Sequence, residues 1–324
     1  LLALFNIKYM NTIDVIGNGI IDPMGVPLTT DYKPGNNTQS PRYRTHKNKL
    51  ILYISNTLIN QFFNRGDEKE YCAKRVFETY MTGNFWSEPT DAMNAGSYFE
   101  TKCIGGGAGG SKVLTMPPGR GGKISVAQQR IDGQVAKFKM LIDEYGMILS
   151  DDGSNIQVKG MRHFPQDDWL DIEVFVTGEA DFITPIEEYK GKSFDTTVID
   201  LKLTKDLTST FGPYSWGNLE FINTQQGTIY HLVFELPFAF WVFDYKPKGP
   251  ENKLIFVNHD VNHPNPAMAN KAKYRLSSTK EVIRKTVNEI AHNFIKGWQA
   301  NPKSELCRKC PVVGCKERNY MEEI

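Results

Sequence analysis

The chain has no apolar run long enough to cross a bilayer. Its most hydrophobic stretch, Leu232 to Phe243, is broken by Glu235 and Pro237 and falls short of the ~18–20 residues that a membrane-spanning helix needs. Cysteine is scarce, five in 324 residues, which excludes a disulfide-stapled scaffold and favours reduced thiols or metal ligands. Net charge is almost absent as well: 38 basic against 37 acidic residues give +1. A polyanionic partner must then be held by a local patch, not by a global field. The apolar start, Leu1 to Met10, carries neither a basic leader nor a small-residue cleavage pattern, so it is not read as a signal peptide. Met10 is the expected natural start, and a cytoplasmic protein is the expectation. No internal repeat is present.

What is present is the composition of an ordinary globular protein, 40% hydrophobic, 12% aromatic and 23% charged, neither disordered nor fibrous. The length is that of about two domains, or of one with large additions. Charge is segregated. Asp151 to Glu188 holds ten acids and two bases, and Lys246 to Lys285 nine bases and three acids, as a metal site beside a phosphate track requires; two solvated faces explain the same pattern.

Residues 17–48, rich in Gly, Pro, Asn and Thr, read as an irregular arm. Helices are expected from Ser55 to Phe63, Glu70 to Thr82, Thr90 to Ile104 and Ser125 to Tyr145, the last two stopped by Gly105 and Gly146. The pattern then turns to strands at Trp169 to Thr177, Glu179 to Thr184 and Thr196 to Leu203. A helix at Asn218 to Glu235, strands at Phe238 to Tyr245 and Lys253 to Asn258, and a helix at Ser278 to Gln299 follow. This order reads as one α/β domain with helical additions: an arm (1–48), a helical region (49–146), an α/β core (147–300) and a C-terminal cysteine cluster (301–324).

Two acids, Asp181 and Asp200, stand at or near the ends of neighbouring expected strands. Lys202, two positions after Asp200, shares its face because strand side chains repeat with period two. Two or three carboxylates plus a backbone carbonyl suffice for a hard divalent ion such as Mg²⁺, and a lysine beside them can orient water.

These residues resemble the PD-(D/E)XK nucleases, in the branch that includes the RecB and AddB nuclease domains and the CRISPR-associated spacer-acquisition nuclease. Asp181 matches the first strand acid and Asp200-Leu-Lys202 the D/E-x-K element. Gln226-Gly-Thr-Ile-Tyr230 matches the Q-x-x-x-Y helix motif, whose two ends share one helix face. Gly96-Ser-Tyr-Phe-Glu100 resembles the G-x-x-x-H motif, with Glu where the family usually has His, and Glu-Ala stands where the literal motif has Pro-Asp before the first acid. The resemblance implies a restriction-endonuclease-like core with a central mixed sheet flanked by helices. It implies Mg²⁺ or Mn²⁺ on Glu100, Asp181, Asp200 and the Leu201 carbonyl, a water-assisting Lys202, and positioning roles for Gln226 and Tyr230. The implied activity is DNA phosphodiester hydrolysis, as an exonuclease of recombination, repair or phage DNA processing. DNA with free ends or single strands would be the partner, with a helicase or recombination protein beside it.

Cys307-Arg-Lys-Cys310 and Cys315 form a compact thiolate cluster, and Cys72 lies far upstream. One early and three late cysteines is the pattern of the iron-sulfur members of that branch, although the last spacing is one residue shorter than usual. It implies a 4Fe-4S cluster on Cys72, Cys307, Cys310 and Cys315; four thiolates also make a structural zinc site. Cys103 reads as a buried thiol. Two other functional readings stand beside the nuclease: a noncatalytic DNA-binding or scaffold subunit of the same fold, and a zinc-stabilised interaction protein.

Four further signals take plainer readings. Gly105 to Lys112 fails as a phosphate loop because its order is Ser-Lys and it follows a helix. With Pro117 to Gly122 it reads as a connector or flap. His259 and His263 read as surface histidines. Phe238, Phe240, Trp241, Phe243 and Tyr245 read as core over base-stacking residues, and Lys271, Lys273, Arg275, Arg284 and Lys285 as a solvated face or a phosphate track.

Overall fold

A strand that is apolar on both faces needs cover on both sides, and Phe238–Asp244 is buried at every position. In the computed structural model this strand lies inside a mixed sheet. The structure describes residues 43–46, 49–62, 72–77, 90–105, 115–166, 172–210, 216–217, 224–245, 251–257 and 265–297. In order they form β1 (Tyr43–His46), β2 (Lys49–Ser55), α1 (Asn56–Phe62), α2 (Ala73–Val76), α3 (Asp91–Ile104) and α4 (Val126–Glu144). Then come β3 (Ile156–His163), β4 (Ile172–Tyr189), β5 (Lys192–Thr204), α5 (Thr224–Phe234), β6 (Phe238–Asp244), β7 (Glu251–Val257) and α6 (Pro266–Lys296). The described residues divide into two compact units, one within 89–160 and 178–277, the other within 37–88, 161–177 and 278–297.

In the first unit β4 pairs antiparallel with β5, β5 parallel with β6, and β6 antiparallel with β7. The parallel pair is joined through α5, as a parallel connection requires. α3 and α4 cover one face, where Phe99, Phe138, Phe182, Trp241 and Phe243 form a buried cluster with Ile199 and Leu201. The Phe138 and Trp241 rings lie 5.1 Å apart and tilted, the offset geometry aromatic pairs prefer. On the other face α5 lies close to the strands because glycine leaves room. A Cβ at Gly160 would sit 2.7 Å from the Phe234 ring, and one at Gly227 2.7 Å from Val257.

The two helices begin and end as their sequences dictate. Thr90 caps α3 through the Met93 N–H, and Ser125 caps α4 through the Gln128 N–H. Gly105, at φ 82°, closes α3 in the left-handed conformation.

In the second unit β1 pairs antiparallel with β2, and β2 runs parallel to Ile172–Thr177 of β4. Ser55 caps α1 through the Leu58 N–H, and Leu58, Ile59 and Phe62 are buried with Ile51, Leu52 and Ile54.

The α/β class expected from sequence is thus what the chain adopts, a mixed sheet flanked by helices. Several elements differ. β1 falls inside the arm read as irregular, and β3 occupies a stretch read without structure. β4 merges two expected strands across Gly178, and α6 starts at Pro266, twelve residues before the expected Ser278. Of the helix expected at Glu70 to Thr82, the described part is Ala73–Val76, ending at Phe77. No helix among the described residues is long and apolar enough to cross a membrane.

Candidate active site

Asp200 is the centre of the site. Ile199 and Leu201 point into the α3–α4 core, so the alternation of β5 turns Asp200 and Lys202 to the opposite face, where α5 lies. There the Gln226 amide donates to Asp200 Oδ1 at 2.7 Å, and Lys202 Nζ pairs with Oδ2. Asp200 is almost fully buried, whereas the Lys202 side chain keeps 30% of its surface exposed, enough to meet a substrate from solvent. The ammonium also lies 6.0 Å from the centroid of the Phe240 ring on neighbouring β6, within cation–π range.

Asp181 comes from β4. The register pairs Phe182 with Ile199, and one step along places Asp181 beside Asp200. Its Oδ2 accepts the Leu201 N–H at 2.5 Å. Burial lifts the Asp181 carboxyl well above its ordinary value, and the Asp200 and Glu100 charges add to that; Lys202 and the Leu201 N–H oppose it. Glu100 arrives from α3. Its carboxyl is also raised, by burial first; Lys202 works the other way, and Asp200 and Glu179 push it up further. Burial alone would lower the proton affinity of Lys202, but Asp200, Asp181 and Glu100 outweigh it and hold the ammonium charged. The site therefore packs three carboxylates around one cation, an arrangement short of positive charge.

Tyr230, one turn after Gln226, is buried and donates its hydroxyl to the Glu179 carbonyl. Its phenol is raised well above the ordinary value by burial and by Asp200 and Asp181. It is held as a neutral donor.

The six residues singled out from sequence, Glu100, Asp181, Asp200, Lys202, Gln226 and Tyr230, are thus brought together in one unit. Sequence reasoning missed two neighbours. Glu179, two positions before Asp181 on β4, has a buried Oε1 with no hydrogen-bond partner, and burial raises its carboxyl against the pull of Lys159. Gln157, on β3 at φ 51°, lies beside Glu100 and lowers its proton affinity. The period-two spacing from Asp181 was the signal for Glu179; nothing local marks Gln157.

An all-oxygen donor set with raised proton affinity and too little positive charge fits a hard divalent cation. Among the described residues no three His, Cys, Asp or Glu side chains stand as a ready-made cage. As arranged here, Asp200 is engaged by Gln226 and Lys202, and Asp181 by the Leu201 N–H.

Of the cysteines, Cys72 sits at the N-cap of α2, half-buried. Cys103 is buried, and burial pushes its thiol far up, in keeping with a core position. Cys307, Cys310 and Cys315 lie outside the described residues, as do Gly106 to Lys112, His259 and His263. Phe238, Phe240, Trp241 and Phe243 are core residues, which settles them against base stacking; Tyr245 is half-buried. On α6, Arg284 and Lys285 are paired with Glu281 at 2.8 and 3.8 Å, as on a solvated face.

No protein-family profile matches this sequence, and no curated protein matches it. Among solved structures, a provisionally named exonuclease from Eubacterium rectale aligns over 74% of this chain and 82% of its own, with 16% identity and a TM-score of 0.44. The protein SSO0001 aligns over 85% of this chain and 89% of its own, with 13% identity and a TM-score of 0.31.

Proposed function

We propose that the protein is a metal-dependent deoxyribonuclease of the PD-(D/E)XK type that hydrolyses phosphodiester bonds of DNA as an exonuclease. The observation that carries this reading is the junction at Asp200, where a helix glutamine and a strand lysine hold one buried carboxylate beside Asp181 and Glu100. Glu100, Asp181, Asp200 and the Leu201 carbonyl would hold Mg²⁺ or Mn²⁺. When bound, such an ion neutralises charge on the phosphoryl oxygens and favours ionised water. Lys202, charged and partly exposed, orients the attacking water and stabilises negative charge that develops on the phosphate. Gln226 holds Asp200 in place, and Tyr230 ties α5 to β4 through the Glu179 carbonyl. The water oxygen forms the new bond to phosphorus and the bridging ester oxygen departs with the other strand fragment.

In the same reading Cys72, Cys307, Cys310 and Cys315 carry a 4Fe-4S cluster with a structural role, with structural zinc the alternative. Half-buried Cys72 suits a ligand, and buried Cys103 does not. A brown protein absorbing near ~400 nm, with iron and sulfide in equal amounts, supports the cluster; a colourless zinc protein replaces it.

The deciding experiment incubates the anaerobically purified protein with Mn²⁺ and end-labelled linear DNA, single- and double-stranded, beside closed circular DNA. Wild-type cleavage of linear DNA alone, lost in Lys202→Ala with folding intact, is the expected result. Full activity of Lys202→Ala overturns the assignment. No cleavage by intact wild type points to a noncatalytic DNA-binding subunit of the same fold.

A further inference from the structure

Two of the three acids at the centre are held by donors. Gln226 and Lys202 engage Asp200, and the Leu201 N–H engages Asp181. Glu100 comes from α3, and the donor beside it is Gln157 of β3. Strand pairing brings that residue there. The Asn155 carbonyl accepts the Ile183 N–H, and the Val174 carbonyl accepts the Phe164 N–H, so β3 runs antiparallel to β4 in one register and Gln157 stands opposite Asp181. The backbone at Gln157 is in the left-handed region, φ 51°, which a residue with a Cβ seldom adopts. Lys190 and Glu235 share that conformation, but Lys190 lies in the turn between β4 and β5 and Glu235 follows the end of α5. Gln157 lies within a strand. Its side-chain nitrogen is sealed from solvent, with no acceptor at hydrogen-bonding distance and angle, yet it is near enough to the Glu100 carboxyl to favour its charged form. A strained backbone and an unused buried donor both cost stability, and both occur at the residue that stands beside Glu100 and opposite Asp181.

We propose that Gln157 is a positioning residue that orients Glu100 for a divalent cation, its side-chain amide donating to the Glu100 carboxylate as Gln226 donates to Asp200. This rests on the nuclease reading above and adds the group that steadies the one ligand carried by a helix. Burial decides between contact with substrate and action through another residue. A nitrogen closed to water is closed to a phosphate as well, whereas the Glu100 carboxyl is its neighbour. A fixed donor behind a ligand oxygen sets the direction in which that oxygen points, and loss of such a partner typically weakens metal binding about 10- to 100-fold. On this account the left-handed φ aims the side chain at α3. An apolar residue in its place would cost the fold less and leave Glu100 without its donor.

The test reads Mn²⁺ binding to the full chain without DNA, from the electron paramagnetic resonance signal of free Mn²⁺, beside thermal unfolding in EDTA. Gln157→Met keeps the length of the side chain and removes the amide. It should raise the Mn²⁺ dissociation constant about tenfold or more and leave the EDTA midpoint unchanged or higher, because a buried donor without a partner is gone. Gln157→Gly also lacks the amide and suits the left-handed backbone, so it serves if methionine does not fold there; it should weaken Mn²⁺ binding alike. In a Glu100→Gln background, Gln157→Met should have no further effect on Mn²⁺ affinity, since the residue through which it acts is already changed. An undiminished loss in that background overturns action through Glu100. A lower EDTA midpoint with wild-type Mn²⁺ affinity marks a structural residue and overturns the positioning role. Cleavage of linear DNA is measured separately. If wild type binds Mn²⁺ and cleaves DNA while both variants keep its affinity, Gln157 has no such role and the nuclease reading stands. If wild type binds Mn²⁺ and cleaves nothing, but the variants bind it more weakly, the nuclease reading fails and the cation site with its positioning residue is supported. If wild type binds no Mn²⁺, both fall.

Discussion

The Gln226 amide donates to Asp200 Oδ1 at 2.7 Å, which joins the helix between β5 and β6 to the carboxylate at the middle of the site. Asp200 is 3% exposed, so no water readily replaces this donor. Gln226→Ala should leave a buried acceptor oxygen short of one partner, at about 1–3 kcal/mol in stability, read by urea unfolding. If Gln226 positions Asp200 for the chemistry, kcat for linear DNA should fall at least tenfold while KM changes little. Gln226→Asn, one methylene shorter, should recover part of the stability and little of the rate. A variant with wild-type kcat removes the positioning role.

Glycine sets how closely α5 approaches the strands. Gly160→Ala places a Cβ 2.7 Å from the Phe234 ring and 2.8 Å from Val233. Overpacking of this kind costs about 1–3 kcal/mol. Because Phe234 lies one turn after Tyr230, the shift should also disturb the site, so activity should fall with stability. Adding Phe234→Leu to Gly160→Ala should return part of the loss, a coupling measurable as a double-mutant cycle. Strict additivity of the two changes rules out the contact as the cause.

These cases show where the sequence was legible. α3 and α4 announced themselves through caps and closing glycines, Thr90 with Gly105 and Ser125 with Gly146. β5 and β6 did so through their β-branched and aromatic runs. The acid pair and Lys202 were legible because period two is a local rule. β1 was not legible, since an edge strand among polar residues is defined by its pairing with β2, a non-local event. Gly178 looked like a break in β4, yet the strand runs on through it from Ile172 to Tyr189, at a point where a Cβ would stand 3.4 Å from the Phe234 ring. The start of α6 was hidden because Ser277 and Ser278 resemble a cap, whereas Asn265 does the capping, accepting the Ala267 N–H at 2.9 Å, with Pro266 at the first helical position. The partnership of Gln157 with Glu100 joins β3 to α3 and has no signature in either segment.

Tyr230 offers a separation of structure from chemistry. Its hydroxyl reaches a backbone carbonyl, that of Glu179, so Tyr230→Phe removes one hydrogen bond and leaves the ring stacked near Phe234 at 5.9 Å. The expected cost is about 0.5–1.5 kcal/mol, seen as a lower unfolding midpoint with an unchanged m-value. Cleavage should fall modestly if the tie only holds β4 to α5, and by orders of magnitude if the hydroxyl meets the substrate. The ratio of kcat between Tyr230→Phe and wild type distinguishes the two.

The crowded carboxylates make stability depend on pH in a direction that can be worked out. Asp181 is raised well above its ordinary value when folded, by burial and then by Asp200 and Glu100, so in the window above the unfolded carboxylate value of about 3.9 the folded state binds more protons than the unfolded one. Stability from this group is fully present below that value and is lost as pH rises through the folded pKa. Metal-free protein should therefore gain midpoint temperature on mild acidification from neutrality, until the general loss of ion pairs takes over. Asp181→Asn removes this ionisation, so it should flatten that slope and stabilise the metal-free protein at neutral pH. If the same carboxylates hold a divalent cation, Mn²⁺ should raise the midpoint of wild type at neutral pH and do so much less for Asp181→Asn, because a ligand that binds only the folded state adds stability with its concentration. Thermal unfolding at several pH values, with EDTA and with Mn²⁺, reads both effects. An unchanged pH slope in Asp181→Asn would mean that its carboxyl does not carry the proton, and an equal response of both proteins to Mn²⁺ would place the cation elsewhere.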